Sequence, residues 1–257
     1  MSQDRRLPLE GAWNFRDIGG YPVGDRRVRW GRVYRSSRLS QLSDADCDRL
    51  RTLDITLVCD LRRAPGRLAA PSRLDFGNPS VVQAPATTRA ADEFENMFAG
   101  GERRLSEYRA VLTEGYRQLA RDNCDSWSKV VHALIDAPEG AAIVHCSAGQ
   151  DRTGMLIAIL LLALGVDEET VVDDYCLTAS FGPPDAEFEA MIAEAATKGN
   201  EPVGTNELRK ILEPTPELLK ASFEAMRDDH GSIEGYLRES LGLAGNDITA
   251  LRERLLE

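Results

Sequence analysis

Short apolar runs alternate with longer amphipathic stretches along this chain. Runs rich in apolar and β-branched side chains predict buried strands at residues 54–60, 81–83 and 141–144. Alternating apolar positions between residues 28 and 34 predict a further strand or hairpin, for which Gly19-Gly20 and Gly24-Asp25 supply turns.

Apolar residues recur at helical spacing in most of the remaining chain. Start signals such as the capping-box-like sequence Ser43-Asp-Ala-Asp46 precede several of these stretches. Helices are predicted at residues 43–53, 105–121, 126–135, 155–166, 167–177, 183–197, 206–212, 215–230, 231–237 and 246–256. The unbroken apolar run at 155–166 is too short to span a bilayer, so it predicts a core helix.

Strands before residue 146 and helices after it predict an α/β fold. We expect a central, mostly parallel sheet flanked by helices, with a helical C-terminal part at about 167–257. A single domain over residues 1–257 is expected, because a chain of this length can bury one full core. Residues 84–101 lack clear periodicity, so we expect a lid or insertion at about 84–121.

The composition of the chain bears on its cellular location and on the partners it could bind. With 42% hydrophobic and 28% charged residues, the chain has an ordinary globular composition. Five scattered cysteines argue against a disulfide framework or a zinc site and favour a reducing cytosol. The first residues lack an apolar segment, so we expect no signal peptide and a cytoplasmic location, with non-classical export left open. A net charge of −11, with arginine concentrated in the first 75 residues, argues against nucleic-acid binding.

Residues 141–154 combine a buried strand, a loop of small residues and a helix start. The strand delivers Cys146, and Arg152 follows six residues later at the helix start. Backbone amides of the loop and of the first helical turn converge there, and the helix dipole adds positive charge, which suits a bound phosphate. Arg152 can bind two phosphate oxygens, and the positive field favours a thiolate at Cys146. The residues alone therefore predict a cysteine-dependent phosphatase.

The sequence His145-Cys146-Ser-Ala-Gly-Gln-Asp-Arg152-Thr153 matches the HCx5R(S/T) signature, and the chain thus resembles the protein tyrosine phosphatase superfamily. More narrowly, it is similar to the atypical bacterial tyrosine and lipid phosphatases related to mycobacterial tyrosine phosphatase B. Further passages carry this resemblance at residues 11–17, 34–39, 60–62 and 231–238.

The resemblance implies a phosphatase fold without a metal or cofactor, a cysteinyl-phosphate intermediate and inorganic phosphate as product. The implied substrate is phosphotyrosine in a phosphorylated protein, joined in some family members by phosphoserine, phosphothreonine or phosphoinositides. An aspartate directly before Arg152 is similar to the loop of myotubularin-type lipid phosphatases, which favours a phosphoinositide.

Two positions depart from the family pattern. Gln150 stands where the relatives carry a loop lysine, so attraction for a highly anionic inositol headgroup should weaken. Ala86, in Gln83-Ala-Pro-Ala86, stands where they carry an aspartate that acts as general acid. The proton for the leaving group therefore lacks its usual source.

The loop residues receive distinct expected roles. Cys146 is the nucleophile, and Arg152 binds the phosphate and stabilises the transferred group. Thr153 or Ser147 is placed to hydrogen-bond the sulfur, with helix capping as the alternative for Thr153. Contacts to the bound phosphate are expected from Ser147, Ala148, Gly149 and Gln150.

Asp151 is the first candidate for the acid that protonates the leaving oxygen and then for the base that activates water. Alternatively, it orients Arg152 or contacts the substrate through an ion pair. Asp92, with Glu93 beside it, is the rival acid in the expected lid. A mechanism without a strong acid also stays open. Asp60 is expected to anchor backbone groups or arginines.

The remaining candidates lie near strand ends. Arg62 and Arg63 follow a strand at the sheet edge where ligands bind, so they are candidates to extend the substrate site. Arg16 and Arg35 are expected to tie the N-terminal segment to the sheet. Surface exposure or structural pairing is the alternative for all four arginines. His145 either tunes the loop or is a packed core residue.

Two other functions remain as alternatives. A rhodanese-like sulfurtransferase also places a cysteine loop between a strand and a helix, but without the fixed Cys-x5-Arg-Thr spacing. A phosphate-binding pseudophosphatase would follow if no residue replaces the missing acid, and the presence of both Cys146 and Arg152 argues against it.

Overall fold

The strands of this chain form one large sheet and one small hairpin. The computed structural model describes residues 4–87, 105–197 and 205–257. Its strands are β1 (Arg16–Asp17), β2 (Pro22–Val23), β3 (Arg26–Arg27), β4 (Val33–Ser36), β5 (Ile55–Asp60), β6 (Ser80–Gln83) and β7 (Ala141–His145). Five strands form the large sheet in the order β1-β4-β7-β5-β6, in which only β1 and β4 are antiparallel neighbours. Strands β2 and β3 form the hairpin.

Helices surround this sheet, and several of them begin and end where the local sequence dictates. They are α1 (Asp44–Arg51), α2 (Ala64–Ala69), α3 (Leu105–Asp122), α4 (Cys124–Asp136), α5 (Asp151–Leu164), α6 (Glu168–Cys176), α7 (Thr178–Phe181), α8 (Asp185–Thr197), α9 (Thr205–Leu212), α10 (Pro216–His230), α11 (Ile233–Glu239) and α12 (Gly245–Leu255). Ser43 caps α1 in a capping box with Asp46, and Asp167 caps α6. Gly165, in the left-handed conformation, ends α5.

Helix α5 is the centre of the larger hydrophobic core. Its side chains are buried on nearly all sides, because it packs against the sheet, α6 and α12. Side chains alternate across β7 because a strand has a period of two. Ala142 and Val144 therefore join the core around α5, whereas Ile143 joins a smaller core with Phe15 and Leu50. The predicted α/β class, with a mostly parallel sheet flanked by helices, is confirmed.

The parallel register brings the carboxyl ends of three strands to one edge of the sheet. Ser36 at the end of β4 pairs with His145 at the end of β7, which pairs in turn with Asp60 at the end of β5. Ligands of open α/β sheets bind beyond this edge. Cys146 directly follows β7, so the fold places it there.

Most predicted elements are confirmed to within a few residues, and the exceptions have local causes. The sequence did not predict the short helices α2 and α7, and α2 buries no side chain. The strand expected at 28–34 begins only at Val33, because Val28 instead bridges to Leu256 near the C-terminus. No helix within the described ranges is long and apolar enough to cross a membrane.

The region expected to form a lid is only partly covered by the structure. Residues 84–87 run along the end of β5, and α3 packs against α10 in the helical layer. Residues 88–104, which include Asp92 and Glu93, lie outside the described residues. A lid at about 84–121 therefore stays a prediction.

Candidate active site

The loop after β7 is bent closely around Cys146. It runs over residues 146–150, and α5 begins at Asp151. Gly149 has a positive φ of 69°, and a Cβ built there would lie 2.5 Å from the Ser36 carbonyl oxygen. Glycine is required because it alone meets both conditions without strain. The resulting turn directs the Gly149 N–H at Cys146 Sγ, with an N···S distance of 3.2 Å.

Arg152 returns to this loop from the first turn of α5. Its Nη2 donates to Ser147 Oγ at 3.3 Å, next to the buried Cys146. Amide groups in the first turn of a helix lack intrahelical acceptors and carry the positive end of its dipole. Thiol, guanidinium and helix start therefore lie at one short loop, in an arrangement that can hold a tetrahedral anion beside the sulfur.

The loop carbonyls are bound by the surrounding scaffold. The Gly149 carbonyl accepts hydrogen bonds from Asn14 Nδ2 at 2.8 Å and from Arg35 Nη2 at 2.9 Å. Asn14 has a left-handed φ of 59°, a strained conformation of the kind that clusters at functional sites. The Ser147 carbonyl accepts from the Arg38 N–H at 2.9 Å. In a trans peptide the following N–H points the opposite way, so these contacts leave loop amides for an anion.

A buried ion cluster lies beneath the loop. Asp174 on α6 pairs with Arg16 at 3.3 Å and with Arg35 at 2.8 Å, and it accepts from Tyr21 Oη at 2.8 Å. All three charged side chains are at most 1% exposed. Burial alone would raise the pKa of Asp174, but the two arginines outweigh burial and lower it to about 2. Two guanidinium groups against one carboxylate leave net positive charge below the loop.

This cluster is the structural pairing that stood as the alternative for its two arginines. Arg16 and Arg35 lie on neighbouring strands. The guanidinium of Arg16 binds α6, and that of Arg35 also binds the loop at 146–150, which we call the phosphate loop. Burial, followed by the charge of Arg35, lowers the pKa of Arg16 to about 10. The physical reason for the pairing is burial, because a desolvated guanidinium needs a carboxylate, and Asp174 supplies one to both arginines.

A second cluster lies on the β5 side of Cys146. Arg62 is buried, and it donates to Asp60 at 3.0 and 2.7 Å and to the Ala70 carbonyl at 2.7 Å. Burial lowers the pKa of His145 to about 4, so its imidazole is neutral at pH 7. Its Nδ1–H then donates to the Cys146 carbonyl at 3.2 Å. Asp60 thus anchors an arginine as expected, whereas a substrate contact through Arg62 stays a prediction.

Asp151 is the carboxylate that the described structure places in the loop region itself. It is the first residue of α5, and its Oδ1 lies 2.5 Å from Tyr116 Oη. Ala86, at the position of the missing aspartate, is buried, and its N–H donates to the Leu61 carbonyl. Asp92, the rival candidate, lies outside the described residues. Within the described ranges, no group of three or more His, Cys, Asp or Glu is arranged to hold a metal ion.

Comparison with known proteins agrees with this loop. The sequence matches the model of the tyrosine phosphatase family over residues 7–257. The chain belongs to that family. It is 31% identical to the triple specificity protein phosphatase PtpB of Mycobacterium tuberculosis over 285 residues, covering 98% of this chain and 99% of PtpB. The resemblance inferred from the sequence is confirmed.

Two further proteins are similar to this tyrosine phosphatase. A putative tyrosine-protein phosphatase of Cupriavidus necator is 31% identical over 254 residues, covering 97% of this chain and 88% of the relative. The crystal structure of TpbA from P. aeruginosa is 19% identical and covers 72% of this chain and 88% of TpbA. The TM-score of this comparison is 0.31.

Gln150 of this tyrosine phosphatase is bound to a helix end. Its Nε2 donates to the carbonyl of Leu212, the last residue of α9, at 2.7 Å. It lines a cleft of about 430 Å³ together with Phe188, Arg209 and Lys210. A lysine at this position would add a positive charge beside the loop, whereas Gln150 is neutral and makes this contact without one. A role of Gln150 in selectivity stays a prediction.

Thr153 and four residues missed by the sequence complete the site. Thr153 Oγ1 is buried and has no hydrogen-bond partner among the described residues, so its contact with the sulfur stays a prediction. The residues that sequence reasoning missed as part of the site are Asn14, Tyr116, Asp174 and Tyr175. Asn14 lies in the passage at 11–17 that carried the family resemblance, which was the available signal. The other three lie inside helices without any distinguishing local pattern.

Proposed function

We propose that this chain hydrolyses phosphotyrosine in proteins through a cysteinyl-phosphate intermediate on Cys146. The observation that carries the proposal is the loop, in which Cys146 Sγ accepts the Gly149 N–H while Arg152 and the start of α5 lie alongside. Membership of the tyrosine phosphatase family supports it. So do the names of the relatives, a triple specificity protein phosphatase and a tyrosine-protein phosphatase.

In the first step, the phosphate group binds against the loop amides and Arg152. The Cys146 thiolate attacks phosphorus in line with the tyrosine oxygen, so an S–P bond forms as the P–O bond breaks. Asp151 gives its proton to the departing oxygen, which leaves as neutral tyrosine. Phosphate contacts come from the loop residues Ser147, Ala148, Gly149 and Gln150.

In the second step, water attacks the cysteinyl phosphate. The Asp151 carboxylate takes a proton from the water, the S–P bond breaks and inorganic phosphate leaves. Thr153 or Ser147 donates a hydrogen bond to the sulfur and stabilises the returning thiolate. The surplus positive charge of Arg16 and Arg35 over Asp174 favours the anionic phosphate throughout, because it acts from a buried site.

Turnover of p-nitrophenyl phosphate with and without vanadate tests this proposal. We expect Cys146→Ser to lower kcat by at least about 10³-fold, because a hydroxyl is a far weaker nucleophile at neutral pH. Cys124→Ser, at a partly buried cysteine that begins α4, is the matched control and should keep full turnover. Full turnover of Cys146→Ser would contradict the proposal, and thiosulfate:cyanide transfer would instead support a sulfurtransferase.

The substrate range of the proposal includes phosphoserine, phosphothreonine and phosphoinositides. The name of PtpB, which states triple specificity, supports more than one substrate class. A panel of phosphopeptides and phosphoinositides, with Cys146→Ser as blank, decides among them. We also propose one phosphatase domain over residues 1–257, because one core cluster joins the sheet to α3, α5 and α12. All five cysteines are free thiols, which supports the cytoplasmic location.

A further inference from the structure

Two buried tyrosines lie behind Asp151. Tyr116 on α3 and Tyr175 on α6 are at most 2% exposed, and their rings meet edge to face with centroids 5.9 Å apart. Their hydroxyl oxygens are 2.5 Å apart, and Tyr116 Oη is also 2.5 Å from Asp151 Oδ1. Side chains from three helices thus form one chain of hydrogen bonds that ends at the phosphate loop.

The protons in this chain all point towards Asp151. Burial raises the pKa of both tyrosines well above the usual range, and the negative charge of Asp151 adds a smaller increase. Both hydroxyls therefore keep their protons. A tyrosine hydroxyl has one proton to donate, and a carboxylate can only accept. Tyr116 therefore donates to Asp151, and its own oxygen accepts from Tyr175.

This arrangement distinguishes the two carboxylate oxygens of Asp151. Oδ1 is occupied by Tyr116, so Oδ2 is the oxygen left to exchange a proton. Gln150 Nε2 also lies near Oδ1, at 3.5 Å, and its shorter hydrogen bond goes to the Leu212 carbonyl at 2.7 Å. The terminal torsion of an aspartate is soft, so a hydrogen bond from a buried, immobile tyrosine is what fixes its orientation.

We propose that Tyr116 is a positioning residue that holds Oδ1 of Asp151 and presents Oδ2 to the leaving oxygen of the substrate. Tyr175 supports Tyr116 from behind. The inference rests on the proposed function, in which Asp151 is acid and then base. As Oδ2 gives up its proton, negative charge grows on the carboxylate and the hydrogen bond from Tyr116 strengthens. The tyrosine chain therefore stabilises the transition state more than the bound substrate.

Tyr116→Phe tests the proposal, because it removes the hydroxyl and keeps the ring. For phenyl phosphate, whose leaving group needs a proton, we expect kcat/KM to fall about tenfold. For p-nitrophenyl phosphate, whose leaving group is stable as an anion, we expect a change below about twofold. Tyr175→Phe should act in the same direction with a smaller effect, because it reaches Asp151 only through Tyr116.

Two controls separate positioning from a general loss of structure. Tyr236→Phe also removes a buried hydroxyl in contact with α3, since Tyr236 Oη donates to the Ala120 carbonyl at 2.7 Å. It should leave the ratio of the two kcat/KM values unchanged. In an Asp151→Asn background, Tyr116→Phe should have no further effect, because the two residues act as one unit.

Equal losses on both substrates would overturn the proposal, as would a full Tyr116→Phe effect in the Asp151→Asn background. If Asp151→Asn lowers kcat/KM equally for both leaving groups, the assignment of Asp151 as acid fails, and this inference fails with it. Turnover that depends on Cys146 would then still support the phosphatase. If Tyr116→Phe does not fold, Tyr175→Phe alone decides, and an unchanged kcat/KM ratio for it overturns the proposal.

Discussion

Two buried ion clusters flank Cys146, and they differ in charge balance. The β5 pair consists of Asp60 and Arg62, so one carboxylate meets one guanidinium. The α6 triad consists of Asp174, Arg16 and Arg35, so one carboxylate meets two guanidinium groups. Arg62 of the β5 pair donates to Asp60, the Ala70 carbonyl and Ser72 Oγ, whereas Arg35 of the triad donates to the Gly149 carbonyl of the loop. Positive charge for a phosphate therefore comes from the cluster whose arginines exceed its carboxylates.

Replacing the carboxylate of each cluster should lower the free energy of unfolding more than any of the other substitutions proposed for this chain. Asp174→Asn leaves two buried arginines facing each other, so we expect the free energy of unfolding to fall by about 5 kcal/mol. Asp60→Asn leaves one arginine, which still donates to the Ala70 carbonyl and to Ser72 Oγ, so we expect a loss of about 3 kcal/mol. Urea denaturation measures both values. A smaller loss for Asp174→Asn than for Asp60→Asn would contradict the difference in charge balance.

The contrast also explains what the sequence could predict. The loop was predictable because its chemistry lies within a few consecutive residues, from Cys146 to Arg152. Which arginine serves the loop was not predictable from local spacing. Arg35 reaches the loop because Asp174 neutralises part of its charge, and these two residues lie 139 positions apart in the sequence. Arg62 follows a strand at the sheet edge where ligands bind, but its guanidinium pairs with Asp60, two positions earlier.

The same limit applies to the proposed acid, Asp151, and to the fold. Asp151 was predictable from its place in the loop, but Tyr116, which binds it, lies 35 positions earlier in another helix. Long periodic segments such as α3 and α10 were predicted, because their apolar positions repeat over many turns. The helices α2 and α7 were missed because each is too short for a periodic pattern.

Stability should depend on pH through His145, a buried histidine beside the β5 pair. Burial lowers the pKa of His145 to about 4, below the unfolded value of 6.5. The unfolded state therefore takes up the proton first, so stability present above pH 6.5 is lost as the pH falls towards 4. We expect the free energy of unfolding to fall by about 3 kcal/mol over this window. Asp60 contributes little there, because its pKa is lowered from 3.8 and its stabilising effect is lost only at more acidic pH.

Chemical denaturation at several pH values checks this expectation. His145→Gln should flatten the dependence between pH 6.5 and 4, because it removes the buried group that must stay neutral. An unchanged slope in His145→Gln would show that burial does not keep His145 neutral in the folded protein.

The contact between the α6 triad and the loop can be tested at Gly149, with Gly231 as the matched glycine. Both residues have a positive φ, 69° at Gly149 and 73° at Gly231. A Cβ added at Gly149 would lie 2.5 Å from the Ser36 carbonyl oxygen, whereas a Cβ added at Gly231 would meet no described atom within 4 Å. We expect Gly231→Ala to cost about 1 kcal/mol of unfolding free energy, through backbone strain alone, and to keep full turnover. Gly149→Ala adds a steric clash, so we expect a cost of about 2 kcal/mol.

Turnover distinguishes the two glycines more sharply than stability. The clash at Gly149 should move its N–H from Cys146 Sγ and its carbonyl from Arg35, so we expect kcat/KM on p-nitrophenyl phosphate to fall at least about tenfold. Unchanged turnover in Gly149→Ala would mean that the hydrogen bond from Arg35 to the Gly149 carbonyl is not needed for phosphate binding. The triad would then act only by its charge, and added salt should change its effect on turnover only weakly, because the triad is buried.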